Sequence, residues 1–366
     1  MNKLISTSLS AALALSLPGT QVAFACTGIS ITAKDGTRLQ ARTIEWSGDN
    51  LQSKLVIMPR NHGNQSLTPE GQNGKTWFNK YGAVGASTVA AEFVTEGVNE
   101  KGLNAGIFYF SHYGSLTPYN KKHAKKSVCD GELVRYILTN FATVDEALKG
   151  LEKIEIIPIG KPDKNGHYAT GHWRIADAFG RNVVLEITDK GQRHVYENKI
   201  GVITNSPDYP WHLANLNNYV HLTSGMAADQ QIGGLTLFPF GGGSNLTGLP
   251  GDLTPPSRFV RAFFWLHTAP VMKDAYGAIT QAFHILNNFD LPIGAEHAPG
   301  TVIPDMPSAT QWTAVSDTTN PTFYYRTMYN SAIRKIDLSK INFDTVPYTV
   351  TEMDETPRET FYERTF

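Results

Sequence analysis

Alternation of apolar and polar positions dominates the chain from residue 27 onward. TGISITAK alternates, Asp35-Gly36 is a hairpin-turn pair, and TRLQARTIEW carries the alternation forward. Successive side chains of a strand point to opposite faces, so the pattern predicts a β-hairpin with Cys26 at a strand end. Further strand-like runs are KLVIMPRN, GLNAGIFYF, HWRIADA joined to VVLEIT across the turn Phe179-Gly180-Arg181-Asn182, then GVITNS, QWTAVSD and TFYYRTMY.

Helical spacing of apolar residues appears in two places. Residues 131–141 and 143–154 form one predicted helix pair, packed antiparallel, with Thr143 and Glu146 as a capping box at the start of the second helix. Residues 257–267 and 275–289 form another, entered through Pro255-Pro256. The order is strands, helix pair, strands, helix pair, strands, with no composition break or fixed-period repeat. It predicts one α+β layered domain. The run Gly241 to Gly243 in FGGGSNLTG lacks the lysine and the strand-to-helix setting of a phosphate loop and is expected to be a flexible surface loop.

The first 25 residues follow a different pattern. Lys3 is their only charged side chain, an apolar run is centred on Ala11 to Leu17, and the stretch ends in the small-x-small triplet Ala23-Phe24-Ala25. This is the pattern of a secretory signal peptide. Pro18, Gly19, Thr20 and Gln21 interrupt the apolar run short of the roughly 20 residues a membrane span needs, and no later run is long enough. Residues 26–366 are therefore expected as the mature domain, in the periplasm or the medium. With 41% hydrophobic and 18% charged residues, the chain can bury a large core. The formal net charge is −1, and Lys3 lies in the part expected to be removed, so nothing in the balance attracts nucleic acid or anionic lipid.

The first residue after that predicted cut is Cys26, and the only other cysteine is Cys129. Three readings of Cys26 are open. A disulfide to Cys129 would close a loop of about 100 residues, worth roughly 4 to 5 kcal/mol in an oxidising compartment. A lipid on the sulfur would make a lipoprotein, although Ala23 and the bulky Phe24 are not the residues usual ahead of such a site. Alternatively, cleavage would free an α-amine, with an ordinary pKa near 7.7 to 8.0, beside a thiol near 8.5, placing nucleophile and general base on one residue.

Cys26 followed by TGISI, then QARTIEW, VNEKGL, GVITNSPDYPWHLANLNNY and TGLPGDLTPPSRFVR, resembles the choloylglycine hydrolase and penicillin V acylase family over essentially the whole mature sequence. The motifs keep the family's order and approximate spacing. The resemblance implies a four-layer αββα sandwich of the N-terminal-nucleophile hydrolase type, with Cys26 as nucleophile.

The resemblance also implies a site. Arg42, sixteen residues after Cys26, matches the arginine beside the sulfur, where a fixed cation favours thiolate. Glu45 stands where the family usually has an aspartate that holds the α-amine. Asn205 matches the asparagine that stabilises the tetrahedral oxyanion, and Tyr109 falls at the second oxyanion position, where bile-salt hydrolases tend to have asparagine. Arg258 matches a second active-site arginine. Trp46, Phe108 and Tyr109, with Phe110, are expected near the mouth as substrate-binding aromatics.

His167, His172 and His212 lack metal-ligand or Cys-His spacing, so packing or surface roles are their default, and no metal or organic cofactor is required. Within the family the substrates in view are penicillin V, conjugated bile salts and N-acyl homoserine lactones. Glu45, Tyr109, Trp46 and the export signal resemble the Gram-negative penicillin V acylase branch. The expectation is penicillin V acylase activity together with cleavage of long-chain acyl homoserine lactones. A bile salt hydrolase, or a non-enzymatic exported binding protein or lipoprotein with Cys26 blocked, is the alternative. Family members form homotetramers, and the segment after Asn215 resembles the region used in assembly.

Overall fold

The computed structural model describes residues 24–366 apart from Lys161 and Lys164. The signal-peptide expectation therefore lies outside the described residues, except for its last two. In chain order the main elements begin with β1 (Phe24–Thr32), β2 (Arg38–Trp46), β3 (Lys54–Met58), β4 (Ala83–Ser87), β5 (Val94–Asn99) and β6 (Asn104–Tyr109). Helices α1 (Leu133–Asn140) and α2 (Val144–Leu151) follow, then β7 (Gly171–Ala176), β8 (Asn182–Thr188), β9 (Gln192–Glu197) and β10 (Val202–Ile203). Next come α3 (Tyr209–Asn215), α4 (Pro255–Thr268) and α5 (Ala275–Leu286). The last strands are β11 (Thr310–Asp317), β12 (Thr322–Thr327), β13 (Arg334–Asp337) and β14 (Thr349–Glu352).

Two sheets carry the architecture. One runs β10-β1-β2-β11-β12-β13 and the other β9-β8-β7-β6-β5-β4-β3-β14. Neighbouring strands pair antiparallel throughout both sheets. Helices α4 and α5 cover the six-stranded sheet across β1, β2, β10 and β11, while α1 covers β5 and β6 of the other. Leu133, Val134, Ile137 and Leu138 of α1 and Val144, Ala147 and Leu151 of α2 share one apolar core with the outer face of the eight-stranded sheet. This is the αββα layering of the N-terminal-nucleophile hydrolases.

Local chemistry sets the helix ends where the sequence places them. Thr143 accepts from the Glu146 amide at 3.1 Å, and Glu146 reaches back to the Ala142 N–H at 2.9 Å, one residue earlier than the usual reciprocal bond of a capping box. Asp274 caps α5 by accepting from Gly277 N at 3.0 Å. Between the sheets, Gly28 is needed for close approach: a Cβ there would lie 2.7 Å from both Ile203 Cγ2 and Phe108 Cζ.

Several elements differ from expectation. Cys26 is the third residue of β1, because Phe24 and Ala25 already pair with Trp46 and Glu45. GVITNS contracts to Val202–Ile203, leaving Asn205 beyond the strand. Strands β9, β13 and β14 carry polar sequences such as QRHVYE and RKID, as suits their places at sheet edges. Strand β5, VTEGVN, is wholly buried despite its polar residues, which find partners only in the tertiary structure.

Candidate active site

The hairpin β1–β2 sets the first residues of the site. Cys26 lies opposite Ile44 and is 3% exposed, and Ala25, fully buried, lies opposite Glu45. Cys26 and Cys129 are both free thiols, in separate apolar clusters, so the disulfide alternative does not occur. Burial pushes the Cys26 thiol above its ordinary value. Arg42 pulls it down, Glu45 pushes it up, and Arg258 and the Tyr109 N–H pull it down. The fixed cations expected from sequence are present, but in this closed arrangement desolvation outweighs them.

Asn205 links three of the expected residues. Its Oδ1 accepts from the Cys26 main-chain N at 3.0 Å and from Arg258 Nη2 at 2.7 Å, while Nδ2 donates to the Tyr109 carbonyl at 2.9 Å. Arg258, fully buried at the start of α4, also donates from Nη1 to the Cys26 carbonyl at 2.5 Å and to Thr27 Oγ1 at 3.0 Å. Its Nε donates to the Leu253 carbonyl at 2.9 Å. One guanidinium thus holds both the backbone of Cys26 and the side chain of Asn205, a use of arginine's fixed fork of donors that lysine could not reproduce.

Arg42 approaches from between the sheets. It donates to the carbonyls of Ile107 at 2.6 Å, Thr43 at 3.2 Å and Thr95 at 3.3 Å, and its Nη1 lies 3.7 Å from Glu96 Oε2. Arg174 holds the other oxygen of Glu96 at 2.8 Å. These three buried residues form an Arg–Glu–Arg triad, and Arg42 Nη2 is left buried without a hydrogen-bond partner. The charge of Arg42 acts on the Cys26 thiol in the direction that favours thiolate.

Glu45 is fully buried and neither carboxyl oxygen meets a donor in hydrogen-bond geometry. Burial pushes its carboxyl up to about 8, against pulls from Arg258, nearby Thr43 and Arg42 and a further push from Glu296. Glu296, in the loop before β11, also has a buried oxygen, Oε2, without a partner, and its carboxyl is likewise raised by burial and lowered by Arg258. The position next to Cys26 therefore holds two carboxyl groups whose ionisation burial opposes and that have oxygens without a hydrogen-bond partner.

The aromatic expectations divide. Trp46 and Tyr109 are half-buried, Trp46 donating to Asp49 Oδ1 at 2.5 Å. Phe108 is fully buried: its ring lies 4.2 Å under the Arg42 guanidinium and 5.6 Å from that of Arg174. It packs the space between the sheets and supports Arg42 by a cation–π contact, so the expected place at the substrate mouth is corrected to a place in the core.

Two histidines assigned by default to packing also meet the site. His172 Nε2 lies 3.0 Å from the Thr204 carbonyl and Nδ1 lies 3.1 Å from Glu186 Oε1. His212, on α3, places Nε2 2.9 Å from the Asn205 carbonyl. Their linear positions gave no warning, because each acts on a main-chain oxygen rather than on a motif residue.

The linear amide C–N hydrolase, choloylglycine hydrolase family model matches residues 26–351. A bile salt hydrolase/transferase from Clostridium perfringens is 34% identical over 326 residues, covering 87% of this chain and 94% of that protein. A penicillin V acylase from Pectobacterium atrosepticum is 30% identical over 328 residues, covering 83% and 78%. The crystal structure of a mutant conjugated bile acid hydrolase from Clostridium perfringens superposes with a TM-score of 0.76 at 30% identity, over 93% of this chain and 100% of that one. With this agreement in sequence and layering, the chain belongs to the choloylglycine hydrolase family of linear amide C–N hydrolases.

Proposed function

We propose that removal of residues 1–25 makes Cys26 the N-terminal nucleophile of an exported amidase. The observation that carries this proposal is the meeting of Cys26 N, Arg258 and Asn205 Oδ1 within hydrogen-bond distance. Loss of Ala25 would open the place opposite Glu45, and the new α-ammonium would supply the charge that its unpartnered oxygens lack. The thiolate of Cys26 then attacks the amide carbonyl, forming the carbon–sulfur bond. Asn205 Nδ2 and the Tyr109 N–H face the oxyanion. The α-ammonium protonates the leaving nitrogen as the carbon–nitrogen bond breaks. Water, deprotonated by the regenerated α-amine, hydrolyses the thioester to release the acid and the thiol.

The substrates proposed are penicillin V, split to phenoxyacetate and 6-aminopenicillanate, and long-chain N-acyl homoserine lactones. Half-buried Trp46 and Tyr109 favour an aromatic or extended acyl group. A second reading, conjugated bile salts, is favoured by the higher identity to the Clostridium perfringens bile salt hydrolase/transferase. A homotetramer is also proposed, supported by exposed apolar residues Val220, Leu235, Phe238 and Phe240 in the segment after Asn215.

The test is intact mass and peptide mapping of the exported protein before and after iodoacetamide, followed by kcat/KM on the three substrates. A chain beginning at Cys26, alkylated there with loss of turnover, is the expected result. Retained upstream residues, a lipidated Cys26, or activity in a Cys26→Ser variant would overturn the mechanism. Faster turnover of glycocholate than of the others would select the bile salt reading.

A further inference from the structure

The side chain of Asn205 can act only if its own backbone is held, because it lies in the connection after β10 rather than inside a sheet. Two buried histidines supply that hold. From β7, His172 directs Nε2 at the Thr204 carbonyl; from α3, His212 directs Nε2 at the Asn205 carbonyl. A carbonyl only accepts, so in each contact the imidazole Nε2 carries the hydrogen. The carbonyls on both sides of the Asn205 Cα are therefore fixed from two different elements.

Each imidazole is itself fixed. His172 stacks on Phe110, with centroids 4.5 Å apart and planes 5° from parallel, and its Nδ1 meets Glu186 Oε1. The same Glu186 oxygen accepts from Tyr209 N at 2.9 Å, at the first turn of the helix that carries His212. His212 stacks on Phe259, 4.5 Å and 11° away, the residue after Arg258. Burial pushes the His212 imidazole down to about 4, so it is uncharged at neutral pH and carries its single hydrogen on Nε2, at the Asn205 carbonyl.

We infer that His172 and His212 are positioning residues for the oxyanion side of the site, holding Asn205 in register with Cys26 and Arg258 while touching neither the thiol nor the substrate. This inference rests on the proposed function, in which Asn205 stabilises the oxyanion. It makes a separable prediction. Alkylation of Cys26 by iodoacetamide develops no oxyanion, whereas amide hydrolysis does, so a defect confined to Asn205 slows turnover and spares alkylation.

The experiment uses the processed protein and whichever of penicillin V or glycocholate it turns over faster. His172→Ala and His212→Ala are expected to lower kcat by roughly 10- to 100-fold, the cost of misplacing a reacting group by about 1 Å. KM and the rate of Cys26 alkylation should stay within about twofold, the limit taken as unchanged. His212→Gln, whose amide can still donate to the Asn205 carbonyl, should recover most of kcat; it and His172→Gln keep the test open if an alanine variant fails to fold. Unchanged kcat in the folded alanine variants, or alkylation falling in step with kcat, would overturn the inference. Undiminished turnover by Cys26→Ser would overturn the nucleophile assignment instead, whatever the histidine variants do.

Discussion

The main-chain nitrogen of Cys26 donates to Oδ1 of Asn205 at 3.0 Å, although the two residues are 179 positions apart in the chain. Arg258 donates to the same oxygen and to the Cys26 carbonyl, so cysteine backbone, amide and guanidinium form one hydrogen-bonded unit. Members of such a unit do not contribute additively, and each variant is best read by which step it slows.

Asn205→Ala removes the amide that in the proposed mechanism faces the developing oxyanion and leaves the Cys26 nitrogen and Arg258 without their shared acceptor. We expect kcat to fall by about 10²- to 10³-fold. Steady-state kinetics on the preferred amide, with circular dichroism to confirm folding, checks this; a loss under about threefold would place the oxyanion donors elsewhere.

Arg42 pulls the Cys26 thiol down, so replacing the cation by Arg42→Met makes thiolate harder to form. The pH for half-maximal iodoacetamide alkylation should move upward by roughly one unit or more. An unmoved profile would mean that Arg258 and the Tyr109 N–H set thiolate formation without Arg42.

Glu45 has the opposite sign from an ordinary ion-paired carboxylate. Its folded value is about 8 against an ordinary value of 4.5, so the folded state binds the proton more tightly than the unfolded state. The stabilisation associated with the protonated carboxyl is fully present below pH 4.5 and is lost as pH rises through 8. In a chain that retains Ala25, Glu45→Gln should raise the Tm at pH 8 and leave it nearly unchanged at pH 4. In the chain that begins at Cys26 the same variant should lose activity, because the α-ammonium loses its carboxylate. Thermal scans and turnover of the two forms test both halves.

Glu96→Gln leaves Arg42 and Arg174 buried together without their common anion. Such a loss of one partner costs on the order of 3 to 5 kcal/mol. Urea denaturation should report this as a lower midpoint with a similar slope.

Gly28→Ala would drive a methyl group against Ile203 and Phe108, both packed between the sheets. Overpacking of this kind costs about 1 to 3 kcal/mol. A lower Tm with slower Cys26 alkylation is expected, since Phe108 supports the Arg42 guanidinium.

By itself the sequence determined the layered α+β order and the main strands and helices, features that are local, because side-chain alternation, helical spacing and caps all act within a few residues. Arg42, Glu45, Asn205 and Arg258 were singled out only through the resemblance of their motifs to a known family, and Cys26 by its place after the predicted cut together with that resemblance. The sequence did not reveal the edge strands, whose polar residues imitate loops, or the buried strand β5, whose Glu96 is tolerated because Arg42 and Arg174 reach it from other strands. Nor did it separate Phe108 from Tyr109: alternation makes them face opposite ways, but only the packing of two sheets decides which face is filled. The histidine hold on Asn205 was hidden for the same reason. A hydrogen bond to a main-chain carbonyl leaves no residue-type signature at the receiving position, and only the fold brings β7, α3 and the segment after β10 together.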